Sequence, residues 1–352
     1  MKKQPIYCGL IAGLIVIMGI SGCAATQGAG PEPAAQKPPE PERMYVMRGD
    51  GMPARVSVTN QSGTFTLENR NAPDEVDRTR YNLPELAGHT PDTLAISVLM
   101  ERAGTLEAFA CKEITASTDM AAYGLAAPQA LLEVTYMDGS VATLLVGSES
   151  ETGTYCMQQG GAQIYLVESA KIRFFFYDAL QFLDKTITTA VALQEHITME
   201  LDGSLYGQEI VLEFTAVDTQ DAPEKLYESR ILQPLQVPLS EDVLEALQSV
   251  FGLRATRIVS QTTGADGLVE AYGLDAPYCR LRVYSAEGEG FTLRMTEPDA
   301  TGHAYLLREG VPFIFEAAAE QLPWLAVRLE HMTGETAFLQ QDVLEQLLTR
   351  PA

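Results

Sequence analysis

The segment Ala122-Tyr123-Gly124-Leu125-Ala126-Ala127-Pro128 returns 149 residues later as Ala271-Tyr272-Gly273-Leu274-Asp275-Ala276-Pro277. At the same offset Leu132, Val134, Gly139, Thr143 and Leu144 meet Leu281, Val283, Gly288, Thr292 and Leu293, and Thr152-Gly153 meets Thr301-Gly302. Thirteen of 32 ungapped positions are identical. One inserted residue later, Tyr155, Gly160 and Ile164 match Tyr305, Gly310 and Ile314. A chain that repeats itself in this way must build both copies from the same elements in the same order. A copy of about 150 residues has the size of an ordinary domain. The expectation is two tandem homologous modules, residues 44–190 and 191–352.

Periodicity gives the elements of each module. Apolar residues recur at helical spacing over 91–102 and 240–250. Short strands are expected at 108–114 and 256–260. The Tyr-Gly-Leu-x-Ala-Pro motif then punctuates the chain, because glycine suits the left-handed position that ends a helical turn and proline stops a helix from continuing. Next, Leu132, Val134 and Tyr136 alternate with Glu133 and Thr135, and Asp138-Gly139 turns the chain into a strand over 141–146. Glu287-Gly288 stands at the same turn in the second copy, and a further hairpin turns at Gly160-Gly161 or Gly310. Strand pairs open the copies at 55–59 with 64–68 and at 196–201 with 209–215. Closing helices are expected over 170–183 and 316–329. Hairpins dominate, so the fold class is α+β, each module a mainly antiparallel β-sheet with packed helices.

The N-terminus sets the compartment. Lys2 and Lys3 precede an apolar run from Ile6 to Ile20, which leads into Ile20-Ser21-Gly22-Cys23. A basic start, a short apolar core and small residues before a cleavage point make a secretory signal. The last four residues resemble the lipobox of bacterial lipoproteins. That resemblance implies a signal peptide over 1–22, a lipid on Cys23 and residence at the extracytoplasmic face of the cell membrane. The apolar run is short for a bilayer, which needs about 20 residues, whereas lipid chains hold a protein at the surface through about 0.8 kcal/mol per buried methylene. Residues 23–43 are rich in Pro and Ala. They read as an extended tether, able to reach about 60 Å at about 3.1 Å per residue.

Composition narrows the partners. The formal net charge is −23, which disfavours nucleic acid and basic-patch docking on anionic headgroups. Beyond Cys8 and Cys23 there remain Cys111, Cys156 and Cys279, an odd and widely spaced set that is no disulfide framework, although one pair remains open. Cys279 alternates with Leu281 and Val283, which points it into the core. His89, His196, His303 and His331 show no metal-ligand spacing, so neither a metal nor a cofactor is expected. Asp218-Thr219-Gln220-Asp221 lacks the glycine and terminal glutamate of a calcium loop. No catalytic motif is present, and the 47 acidic residues make chance carboxylate pairs inevitable. Arg48-Gly49-Asp50 matches an adhesion tripeptide over three residues only. On a helix, Ile172, Phe175, Phe176, Ala179 and Leu183 share one buried stripe, and Trp324 takes the corresponding place in the second copy.

The Tyr-Gly-Leu-x-x-Pro motif, the Asp-Gly turn, the strand ending in Gly147 and the run Ile164-Tyr165-Leu166-Val167 resemble the family known as domain of unknown function 4340. The second copy departs from the pattern with Thr296 in the place of Gly147. The resemblance implies an exported or membrane-anchored bacterial protein linked to ABC-type transporter components, and it carries no activity onto any residue. Three functions are therefore expected in descending order. The first is a non-enzymatic, membrane-anchored interaction module, accessory to a transporter or envelope complex. The second is a lipoprotein that holds a solute or glycan between its two modules. The third is an envelope hydrolase that uses acidic residues.

Overall fold

The computed structural model describes residues 43–49, 51–71, 77, 80–189, 196–217, 226–263, 267–288 and 290–333. Residues 1–42, which hold the expected signal peptide, Cys23 and most of the expected tether, lie outside the described residues, as do Asp50 and the Asp218–Asp221 stretch. Among the described residues no helix is long and apolar enough to cross a membrane.

In the first half, strands β1 (Met44–Arg48), β2 (Pro53–Asn60), β3 (Gly63–Asn69) and β4 (Tyr81–Asn82) precede helix α1 (Thr93–Gly104). Strands β5 (Thr105–Ala108), β6 (Ala110–Glu113), β7 (Ala130–Tyr136), β8 (Val141–Glu149), β9 (Thr154–Gln158) and β10 (Gln163–Val167) follow, then the short helix α2 (Ser169–Ile172). The sheet runs β4-β3-β2-β7-β8-β9-β10-β6, while β1 and β5 form a separate two-stranded ribbon. The second half opens with β11 (His196–Asp202), β12 (Ile210–Val217), β13 (Leu226–Gln233) and β14 (Val237–Pro238). Helix α3 (Leu244–Gln248), β15 (Arg257–Gln261), helix α4 (Leu268–Ala271), β16 (Cys279–Ser285), β17 (Gly290–Met295), β18 (His303–Arg308), β19 (Phe313–Ala318) and helix α5 (Leu329–Met332) complete it. Its sheet runs β14-β13-β12-β11-β16-β17-β18-β19-β15. Both sheets thus place the first hairpin beside the motif-bearing hairpin and fold the pre-motif strand, β6 or β15, onto the far edge.

Period-two patterning explains the sheets. In β7, Ala130, Leu132, Val134 and Tyr136 are buried while Glu133 faces out, and Val56 meets Val134 directly across the ladder. In β16, Cys279, Leu281 and Val283 are buried and Arg280 and Arg282 are exposed. One continuous apolar core runs through both halves. Each fully buried leucine or phenylalanine in it contributes about 1.5–3 kcal/mol relative to exposure.

The helical layer is thinner than the periodicity suggests. Helix α1 forms, capped by Asp92, whose side chain accepts from Ala95 N at 3.0 Å, and it buries Ile96, Leu99, Met100 and Ala103. Its counterpart in the second half is a short turn at Glu241–Val243 running into α3. The closing helix expected over 170–183 does not form. The chain turns extended at Tyr177, and Asp178 starts a new turn over Ala179–Phe182. Asn60 Nδ2 donates to the carbonyls of Phe175 and Tyr177 at 3.0 and 2.8 Å, taking acceptors that a helix would use. The expected stripe is redrawn accordingly: Phe175 and Phe182 are buried and Phe176 is exposed. The helix expected over 316–329 is displaced by β19, in which Glu316 is held by both Nε and Nη2 of Arg257 on β15 at 2.9 and 2.7 Å. Pro323 then begins a short 3-10 turn, having no N–H to continue a helix. The molecule is mainly antiparallel β, with few helices rather than a packed helical layer.

Asp92 also pairs with Lys185 Nζ at 3.2 Å, both side chains being largely buried. Asp92→Ala removes the cap and leaves the Lys185 ammonium with only the Gln181 and Leu183 carbonyls as partners, and is expected to lower stability by about 1–2 kcal/mol. Asp92→Asn, which keeps the cap, should lie between it and the native chain. Urea unfolding measures both; an unshifted midpoint for the alanine variant contradicts this account.

Candidate functional site

The repeated motif is a clamp on the outer face of each sheet. Asp119 caps a 3-10 turn over Met120–Tyr123, and Gly124 closes it in the left-handed region at φ 68°. Backbone then lies directly on β8. A Cβ on Gly147 would fall 2.1 Å from the Tyr123 carbonyl oxygen, and one on Gly124 would fall 2.5 Å from Ser148 N. Leu125 is buried with Met157 and Ile164 in a small second core. The Tyr123 ring meets Tyr155 edge-on at 4.9 Å, and Lys112 Nζ donates to the Tyr123 hydroxyl at 2.7 Å. In the second half Tyr272 meets Tyr305 in the same way at 4.8 Å and Leu274 is buried.

The seat there is looser. A Cβ on Gly273 would touch nothing within 4 Å. Thr296, where the first half has Gly147, fits and accepts from Tyr305 N through Oγ1 at 3.0 Å. The departure at Thr296 is thus a consequence of how closely the motif approaches the sheet.

The halves meet along a seam filled by residues 181–188. Leu183 bridges to Pro91, and Asp184 N donates to Thr90 O at 2.8 Å, both in the first half. The residues that follow turn to the second half: Lys185 O accepts from Ala255 N and Ile187 N donates to Leu253 O, each at 2.8 Å. Thr188, fully buried, donates to Val250 O and accepts from Leu253 N. Gln181 Nε2 donates to Ile258 O at 2.8 Å, Arg308 Nη1 to Ile187 O at 2.8 Å, and Arg254 pairs with Asp184 at 3.3 Å. The His89 ring packs edge-on against Phe313 at 4.6 Å. In the first half, β1 holds the same place: Arg48 pairs with Thr105 as Thr186 pairs with Arg254.

Among the described residues, shallow cavities of 280–470 Å³ lie within one half or the other. One, on the second half, is lined by Asp242, Glu330 and His331 among others. The His331 Nδ1 accepts from Arg328 N at 3.1 Å, which ties the ring into the cap of α5. Another adjoins Gly49, whose backbone crosses the Tyr136 ring so closely that a Cβ would lie 1.9 Å from it. The glycine of Arg48-Gly49-Asp50 is therefore explained by packing. His196 lies 3.2 Å from Glu213, and His303 belongs to a turn organised by Asp299. Asp299 accepts from Thr301 and from His303 N, contacts that hold its carboxyl below the ordinary range.

Among the described residues no group of three or more His, Cys, Asp or Glu side chains comes together to hold a metal ion. Cys111, Cys156 and Cys279 are free thiols, the first exposed and the others buried. Burial pushes Cys156 up to about 12 and raises Cys279 as well, so both are inert as nucleophiles.

These features define an antiparallel β protein whose sheets are clamped from outside by a repeated tyrosine-glycine-leucine turn. The chain belongs to the family described as Domain of unknown function (DUF4340), whose family model matches residues 82–277. That span runs from β4 through the second motif, ending at Pro277. No curated protein and no solved structure matches the chain.

The two seats make a differential test. Gly147→Ala should destabilise by several kcal/mol, since backbone must move to admit the methyl group. Gly124→Ala should cost more than Gly273→Ala: both positions have positive φ, but only the first also collides. Thermal unfolding of the three variants checks the order, and equal losses at Gly124 and Gly273 contradict it.

Proposed function

We propose that the protein is an exported lipoprotein, anchored through Cys23 and raised on the tether, that works as a non-enzymatic interaction module built from two copies of one unit. Support for the anchor is the Lys2-Lys3 start, the apolar run and the Ile20-Ser21-Gly22-Cys23 sequence. Support for the duplication is the 149-residue repeat together with the shared strand order of the two sheets. The partner class, an ABC-type transporter or envelope complex, rests on the family resemblance.

The observation that favours interaction over ligand capture is the filled seam. The place where a solute or glycan would sit between two modules is occupied by residues 181–188, which exchange backbone hydrogen bonds with both halves. A ligand there would have to displace these bonds, leaving buried groups such as Thr188 and the Val250 carbonyl unsatisfied at about 1–3 kcal/mol each. Recognition then falls to the outer surfaces, where the halves have diverged.

Two measurements test the reading. Cys23→Ser should move the protein from the membrane fraction to the soluble exported fraction. Crosslinking in cells, followed by mass spectrometry of the native chain, should recover the same envelope or transporter subunits repeatedly. A membrane-bound chain that recovers no protein partner overturns the interaction reading.

A further inference from the structure

The strand ladders align Gln158 with Arg308, since Gln158 pairs with Leu144 and Arg308 with Leu293, which is Leu144 of the repeat. By the 149-residue offset Ala142 likewise aligns with Phe291. Gly49 aligns with Ile187: Gly49 N donates to Gly104 O as Ile187 N donates to Leu253 O. In the second half these three positions form one packed unit. The Arg308 guanidinium donates to the Ile187 carbonyl at 2.8 Å and lies 5.8 Å from the centre of the Phe291 ring.

In the first half the same three positions line an open cavity of about 280 Å³, because glutamine replaces arginine and alanine replaces phenylalanine. Gln158 is exposed and is shared with the neighbouring cavity of about 410 Å³, beside Glu113 and Tyr165. Among the described residues no group donates to the Gly49 carbonyl. Asp138 and Ser140 complete the rim. The Asp138 carboxylate accepts from Ser140 N and Oγ at 2.9 and 2.7 Å, and these bonds hold it below the ordinary carboxylate range. Arg48, also at the rim, has its guanidinium stacked 4.8 Å over Tyr45.

We propose that this cavity is the seat for an arginine side chain of a partner polypeptide, its guanidinium donating to the Gly49 carbonyl and facing the Asp138 carboxylate. The chain itself shows the fit, since Arg308 makes the equivalent contact in the other half. A guanidinium suits the site better than an ammonium because its planar fork serves a carbonyl and a carboxylate together. The net charge of −23 also favours a basic partner segment. This inference deepens the interaction reading and rests on it.

The test uses the mature chain, isotope-labelled and titrated with the peptide acetyl-Gly-Gly-Arg-Gly-Gly-amide while backbone amide resonances are followed. Saturable shifts should appear at Gly49, Ser140 and Gln158. The citrulline peptide, which has the same shape without the charge, should bind at least about tenfold more weakly. Gln158→Arg, which restores the arginine of the second half, should abolish the shifts, and Asp138→Asn should weaken them. No saturable shift at these amides, equal binding of citrulline, or full binding to the Gln158→Arg variant overturns the proposal. Crosslinking in cells separates the two levels. Partners recovered equally by the native chain and by Gln158→Arg sink the arginine seat and leave the interaction reading standing. No partner from either sinks the interaction reading, and the peptide titration still decides the seat.

Discussion

The backbone of residues 183–188 is shared between two sheets, and most of the architecture depends on that sharing. A short segment that bonds to the first half through Leu183 and Asp184 and to the second through Lys185 to Thr188 cannot leave either without exposing unpaired N–H and C=O groups. Thr188 makes the dependence concrete. Its hydroxyl is buried and serves both Val250 O and Leu253 N. The partly buried pair of Lys185 with Asp92 ties the same segment to the cap of α1, the longest helix among the described residues. Helix position, seam and core are thus set by a single run of residues, and the core is continuous across the halves as a result.

Against this common frame, the differences between the halves fall where the backbone approaches something closely. Gly147 lies under the Tyr123 carbonyl, whereas Thr296 has room because Gly273 stands clear of the sheet. Ala142 and Gln158 leave a cavity where Phe291 and Arg308 close one. The shared positions build the sheet and its clamp, and the divergent ones shape the surface. Such divergence is what the proposed interaction reading requires, because a shared frame keeps stability while the outer positions are free to change.

Much of the sheet was legible in the sequence. Asp138-Gly139 and Glu287-Gly288 announce their hairpins, strict alternation places Cys279 in the core, and the apolar spacing over 91–102 finds α1 within two residues. Other elements were not. β1, β4, β13 and β14 carry short or polar sequences whose strand character comes from their neighbours, such as the pairing of Met47 with Leu106. The closing segments have helical spacing, yet Asn60 and the Arg257–Glu316 pair, both remote in sequence, impose other geometries on them. Of the site, the motif could be recognised as punctuation but not as a clamp. The correspondence of Gln158 with Arg308 emerges only from the ladders, which pair Gln158 with Leu144 and Arg308 with Leu293.

The central claim is that the two halves form one cooperative body through the seam. Trp324, the only tryptophan, is fully buried in the second half, and Cys156 is fully buried in the first. Unfolding followed at equilibrium by Trp324 fluorescence and by reactivity of the Cys156 thiol gives one probe in each half. The account predicts coincident transitions, and separate midpoints for the two probes would contradict it.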